Sequence, residues 1–178
     1  MKTTPNYFPG ANATDGSLKV EVYLHAMGIS YKRINGEIIF VPQYASVSGT
    51  VSMYIIHFEP DNSFIFNTEA EKIPGARRNH EVLRYVNILN GLSHYGHFYL
   101  CPKCDSPHFR FVQKTAVRDL SDEVIHESMD TASFRLLDSI GPINLIVNKG
   151  KTAEEAIKEL PSSQTMFRNP MGVTNENL

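Results

Sequence analysis

An α+β fold, a mainly antiparallel sheet of about five to six strands with helices packed on it, follows from three features of the sequence. Segments rich in β-branched and aromatic residues come in pairs joined by short turns, so strand follows strand by hairpin and the pairing is antiparallel. Other stretches carry apolar residues at helical spacing. The order is one helix, about four strands, a helix, two strands and two helices, which gathers helices on a sheet instead of alternating them with parallel strands.

Residues 1–14 lack apolar periodicity and are rich in turn formers. Asp15 or Ser17 can cap a first helix whose apolar residues Leu18, Val22, Tyr23, Ala26 and Met27 fall at helical spacing, with Gly28 as its end. In "YKRINGEIIFV" the pair Asn35-Gly36 sits between two β-favouring runs, a strong hairpin signal because both turn positions must accept positive φ. "TVSMYIIHFEPDNSFIFNT" reads as a second hairpin, with a strand to Phe58, a Glu-Pro-Asp-Asn turn and a return strand over 63–67. Apolar residues on both sides of its first strand predict a place near the middle of a covered sheet.

Asn79 then caps a helix with Val82, Leu83, Val86 and Leu89 on one stripe, stopped by Gly91 or Gly96. A third hairpin runs from Tyr95 to Ala116. Ser121 caps a long helix with Asp122 and Glu123 in the first turn, where the helix dipole favours them, and with Ile125, Met129, Ala132, Leu136 and Ile140 along one face. "GPINLIVNKG" is apolar but too short to assign, and Thr152-Ala-Glu-Glu155 is a capping box opening a last helix that runs to about Leu160. The chain thus divides into a flexible segment over 1–14, a single α+β domain over 15–160 and a flexible tail over 161–178.

A chain of 178 residues can bury roughly 70% of the surface its unfolded form exposes, so a core needs no disulfide. Net charge is −2 and the 17 Lys and Arg are scattered, so there is no cationic stripe to release counterions from a phosphate backbone, and nucleic acid is not the expected partner. No apolar run reaches the length that spans a bilayer, which takes about 18 residues, so no membrane is expected. The first residues show no secretory h-region. The expected compartment is the cytoplasm, where thiols stay reduced and serve metals better than disulfides.

The two cysteines stand three apart in "YLCPKCDSPHFRF". With Pro102 to Pro107 as the loop, Cys101 and His108 face each other across the hairpin on one side of the sheet, and Cys104 can reach the same point. Two sulfurs and an imidazole suit zinc, which makes zinc the possible cofactor, and the Cys-Pro-x-Cys knuckle lets backbone N–H groups approach a bound sulfur. The fourth ligand is missing: Asp105 lies in the loop, and His97 shares the face but sits four strand residues, roughly 13 Å, away. A symmetry mate, a water or a mobile side chain would complete the site. An unliganded turn and a redox pair are the alternatives, the latter lacking the helix N-terminus that usually activates such a thiol.

Other strings fall short of a motif. "GKT" at 150–152 has Leu145 where a P-loop needs glycine, and "HESMD" at 126–130 ends in Asp130 where a zinc protease has its second histidine. There is no G-x-S-x-G elbow. His25, His80 and His94 are uninformative singly, and His57 reads as a hydrogen-bonded core or groove residue. Asn87 and Asn90, three apart on the second helix, either satisfy loose backbone groups of a strand edge or anchor the backbone of an extended partner peptide.

"RYVNILNGLSHYGHFYL", the hairpin and long helix after it, and "GPINLIVNKGKTAEEAIKEL" resemble the YbjN-like family over roughly residues 17–160, through Asn87 and Asn90, Gly96, Gly150, Ala153 and Ala156. That resemblance implies a fold like that of type III secretion chaperones, no established catalytic residues, and relatives that act as dimers binding extended protein segments. The family usually has a plain turn at the hairpin tip, so Cys101, Cys104 and His108 rest on their spacing alone. The leading expectation is a non-enzymatic, chaperone-like or regulatory dimer that binds a polypeptide in an apolar groove. A zinc-stapled hairpin and a small hydrolase with a scattered site are the alternatives.

Overall fold

The computed structural model describes residues 15–35, 38–46, 49–93 and 95–160. The segments 1–14 and 161–178, His94 and Gly36 of the expected Asn-Gly turn lie outside the described residues. In chain order the elements are helix α1 (Asp15–Ala26), strands β1 (Lys32–Arg33), β2 (Ile38–Ser46), β3 (Gly49–Phe58) and β4 (Ser63–Glu69), helix α2 (His80–Leu92), strands β5 (Gly96–Leu100) and β6 (Pro107–Lys114), and helices α3 (Asp122–Lys149) and α4 (Ala153–Lys158). The described strands form a six-stranded antiparallel sheet, as the hairpin spacing predicts, and their order is β1-β2-β3-β4-β6-β5.

The helices form one layer. α3 crosses β2, β3, β4 and β6, α1 lies on β2 and β3, α2 flanks β5, and α4 packs on α2 and α3. Under this layer Ile39, Met53, Ile55, Phe64, Phe66, Phe98, Phe109 and Phe111 are buried. Small residues let α3 come close: Ala132 and Ser133 are fully buried, and Thr68 Oγ1 on β4 donates to the carbonyl oxygens of both Phe109 and Ala132 at 3.1 Å.

Strand β3 is central, yet only one of its sides is covered. Val51, Met53, Ile55 and His57 are buried whereas Tyr54 and Ile56 are half-buried and Phe58 is exposed, so the expected covering on both sides is corrected to one. His57 stacks on Phe64 at 4.5 Å, and a Cβ on Gly16 of α1 would lie 2.7 Å from the His57 ring. That contact turns α1 so that Gly16, Val20, Tyr23 and Leu24 face inward while Val22 and Met27 of the expected stripe are exposed. The same rotation buries Glu21 against Arg33, whose Nε donates at 2.8 Å. Gly28 ends α1 with φ 66°, and Ile29 N–H donates to Leu24 O at 2.9 Å across it.

The cap at Asn79 is present, its side chain accepting from the N–H groups of Glu81 and Val82. Tyr85 replaces Leu83 in the buried stripe of α2, and the helix runs through Gly91 to Leu92. "GPINLIVNK" continues α3 instead of leaving it: Pro142 lies inside a 28-residue helix. A proline there costs about 3 kcal/mol, but Pro142, Ile143 and Ile146 all face the core, and their burial outweighs the lost backbone bond. The capping box at Thr152 and Glu155 forms as expected.

Candidate metal centre

The side of the sheet away from the helices is open, and the register defines what stands on it. Ile38 and Phe40 of β2, Tyr54, Ile56 and Phe58 of β3, and Ile65 of β4 make an apolar half. Asn67 and Glu69 of β4 pair with Arg110 and His108 of β6, which pair in turn with His97 and Tyr99 of β5. These make a polar end, and the cysteines lie there.

The turn is tighter than the sequence implies. Leu100 pairs with Pro107 and Tyr99 with His108, while Cys101 N–H donates to Ser106 O at 2.9 Å and Asp105 N–H to Cys101 O at 3.2 Å. Cys101 therefore faces Ser106 across the hairpin and meets His108 diagonally, a correction of two residues to the expected register. A slip of two preserves the face because side chains alternate with period 2, so the ligands still converge. Cys101 Sγ, Cys104 Sγ and a His108 ring nitrogen all lie within 4.8 Å of one another. Bonds of about 2.0 to 2.3 Å to tetrahedral zinc would set them roughly 3.5 Å apart, a small contraction.

The turn is held in place. Asp105 adopts φ 61°, a conformation aspartate tolerates, the Arg77 guanidinium donates to Pro102 O, and Ala70 N–H donates to Pro107 O at 3.0 Å. Cys104 receives hydrogen bonds from the Cys101 thiol and from the side chain and backbone N–H of Ser106, which hold its thiol below the usual cysteine range and favour the thiolate that binds metals.

His108 is only 7% exposed, and neither ring nitrogen makes a hydrogen bond among the described residues. Glu69 Oε1 stands 3.8 Å from Nε2, beyond hydrogen-bond range. The ring stacks on Tyr99 at 4.8 Å, Tyr99 OH donates to Asn67 Oδ1 at 2.8 Å, and the Arg110 guanidinium lies 5.8 Å from the Tyr99 ring centroid. Burial lowers the His108 pKa, Glu69 opposes that and Arg110 adds to it, so the neutral, ligating form is favoured. Beside the site an open cleft of about 550 Å³ is bordered by Gln43, Thr50, Ser52, Glu69, Lys72 and Ser106.

Asn90 uses its amide on a strand edge: Nδ2 donates to Phe98 O at 3.0 Å and Oδ1 accepts from Phe98 N–H at 2.6 Å, as a neighbouring strand would. Asn87 is exposed. The "HESMD" string places His126 Nε2 3.3 Å from Asp130 Oδ2, with Tyr23 OH at 2.8 Å from Nδ1 and Tyr44 OH donating to Asp130 Oδ1 at 2.7 Å. Both ring nitrogens are thus taken up in a tie between α1, β2 and α3, with none left for a nucleophile. Reasoning on the sequence did not find Glu69, Asn67 or Tyr99 at the site, because β4 meets β6 across a whole helix and hairpin. Their one signal was alternation along each strand.

The class these features define is an α+β protein with one open sheet face and a soft-ligand cluster at its margin. No protein-family model matches the chain, and no curated protein does. Among solved structures it is similar to the crystal structure of YbjN from E. coli, at TM-score 0.48 and 14% identity over 68% of this chain and 89% of that one. The YbjN-like likeness implied by the sequence is therefore found, and at that distance no functional statement rests on it. No described helix is long and apolar enough to cross a membrane.

Proposed function

We propose that this protein binds a divalent transition metal, zinc before others, through Cys101, Cys104 and His108. The observation that carries the proposal is His108, buried with both ring nitrogens unbonded beside two thiols. Leaving a buried polar group unsatisfied costs about 1–3 kcal/mol, and a metal would use one of those nitrogens. Two sulfurs and an imidazole match the softness of zinc, and the bound ion would staple the hairpin tip and serve interaction in place of catalysis. The reading goes with a reducing compartment such as the cytoplasm. Elemental analysis of untagged protein purified without chelator, with a count of reactive thiols, tests it. Near-stoichiometric zinc with both thiols protected is expected; metal-free protein with two reactive thiols would sink the reading.

A second reading concerns the apolar half of the open face, where Phe58 is 48% and Val112 40% exposed beside Tyr54, Ile56 and Ile65. We read it as a polypeptide-binding surface with a second copy of this chain as its first occupant, since a self-complementary patch is what a two-fold dimer uses. It replaces the apolar groove expected from the sequence with a broad face. A monomer in sedimentation at all micromolar concentrations would remove this reading.

A further inference from the structure

Three ligands leave a tetrahedral structural zinc incomplete, and the residue that can close the site is on the neighbouring strand. We infer that Glu69 supplies the fourth ligand, giving a centre of two thiolates, one imidazole and one carboxylate that joins β4 to β6 and the hairpin tip. This rests on the metal reading above.

Glu69 pairs with His108 across the sheet, on the same open face. Directly paired Cβ atoms stand about 4.5–5.5 Å apart, which is within reach of one metal for a glutamate and a histidine. Its Oε1 is already 3.8 Å from His108 Nε2, and its charge is felt at Cys104 as well as at Tyr54. His108 is its one polar partner among the described residues, and its side chain is 28% exposed. The carboxylate stands outside the three-atom cluster, and a rotation of this partly exposed side chain would be what brings it in. His97 is worse placed: it pairs with Arg110, two residues further along β6 than the partner of Glu69. The charges agree as well, since two thiolates and one carboxylate around a divalent ion leave a modest excess that Arg110, next but one along β6, faces from the same side.

The test compares wild type, Glu69→Gln and Glu69→Ala in the full-length protein loaded with cobalt(II) and with zinc. Cobalt reports geometry and sulfur ligation in its visible spectrum, and water-proton relaxation reports whether a water is bound. The expected result for wild type is a tetrahedral centre without bound water. Both variants should keep the sulfur-to-cobalt band, gain one exchangeable water and bind zinc more weakly by more than about 100-fold, beyond the 10–100-fold typical of a residue that only orients a ligand. Circular dichroism of the metal-free variants guards against misfolding, because a carboxylate-to-amide change at a partly exposed side chain should leave the metal-free fold intact.

Wild type that already carries a bound water overturns the inference, as does a loss within about 10–100-fold with an unchanged cobalt spectrum, which would make Glu69 an orienting partner of His108. In either case Cys104→Ser still weakens the sulfur band and the metal reading stands. If wild type binds neither metal, it is the metal reading itself that fails.

Discussion

The two faces of one sheet are built from alternate residues of the same strands and follow different rules. On the helix side Met53, Ile55, Phe64, Phe66 and Phe109 are at most 1% exposed, and each is explained by packing. On the open side packing explains little. Tyr54 and Ile56 are half-covered, Phe58 and Val112 are exposed, and at one end His108 is buried without a hydrogen-bond partner among Asn67, Glu69, Tyr99 and Arg110. Buried atoms without a partner among the described residues also occur in the helix layer, Tyr85 Oη among them; what sets the open side apart is that its unbonded imidazole stands beside two thiols.

Truncation should separate the faces most sharply. Phe66→Ala, on the helix side, is expected to cost about 3–5 kcal/mol in urea unfolding. Phe58→Ser, on the open side, should stay within about 0.5 kcal/mol in protein dilute enough to be monomeric, as exposed positions do. A comparable loss at Phe58 in the monomer would break the contrast, whereas a loss that appears only at higher protein concentration is what the two-fold reading of this face expects.

Zinc should make one corner of the open side behave like a core. With zinc at about 100 times its dissociation constant the wild type gains about 2.7 kcal/mol, and Cys104→Ser should lose that gain. Thermal melts with chelator should then make the two proteins alike; a gap that persists would show that the cysteine acts through packing.

At Gly96 the two sides meet. An added Cβ would fall 2.5 Å from both Arg110 O and the Phe109 ring, and Gly96→Ala is expected to cost about 1–3 kcal/mol by overpacking. An unchanged denaturation midpoint would mean that β5 can move away from β6.

The smallest effect lies away from the sheet, at Glu81, which accepts from Ala153 N–H at 2.7 Å. That bond, with smaller help from His80 and Arg84, lowers its pKa against the opposing cost of burial. A lowered folded-state value means that Glu81 stabilises the protein above its unfolded pKa, which is about 4.3 for a free glutamate, and that the contribution vanishes as pH falls through the folded value. Glu81→Gln should therefore flatten the acid limb of a stability-against-pH curve, measured by urea unfolding from pH to pH. An acid limb as steep as the wild type's would show that other carboxylates carry it.

Much of this was legible locally. Asn79, Ser121 and the Thr152–Glu155 box act within one helical turn, so neighbouring residues suffice to place them. The hairpins were legible for the same reason, and so was the face shared by Cys101 and His108. The rotation of α1 was not, because it depends on Gly16 meeting His57 and Phe64 far along the chain. Nor was the passage of α3 through Pro142, where local propensity says stop and the buried Ile143 and Ile146 say continue.

By itself, then, the sequence determined the α+β class, the antiparallel pairing, the helix caps and the convergence of two cysteines and a histidine, all set by interactions spanning a few residues or by a period of two. Only the tertiary structure decided the exact hairpin register, which side of the sheet stays open, and that Glu69 stands beside His108. Those depend on which strand lies next to which, and the pairing of β4 with β6 is settled by burying a shared aromatic face beneath α3.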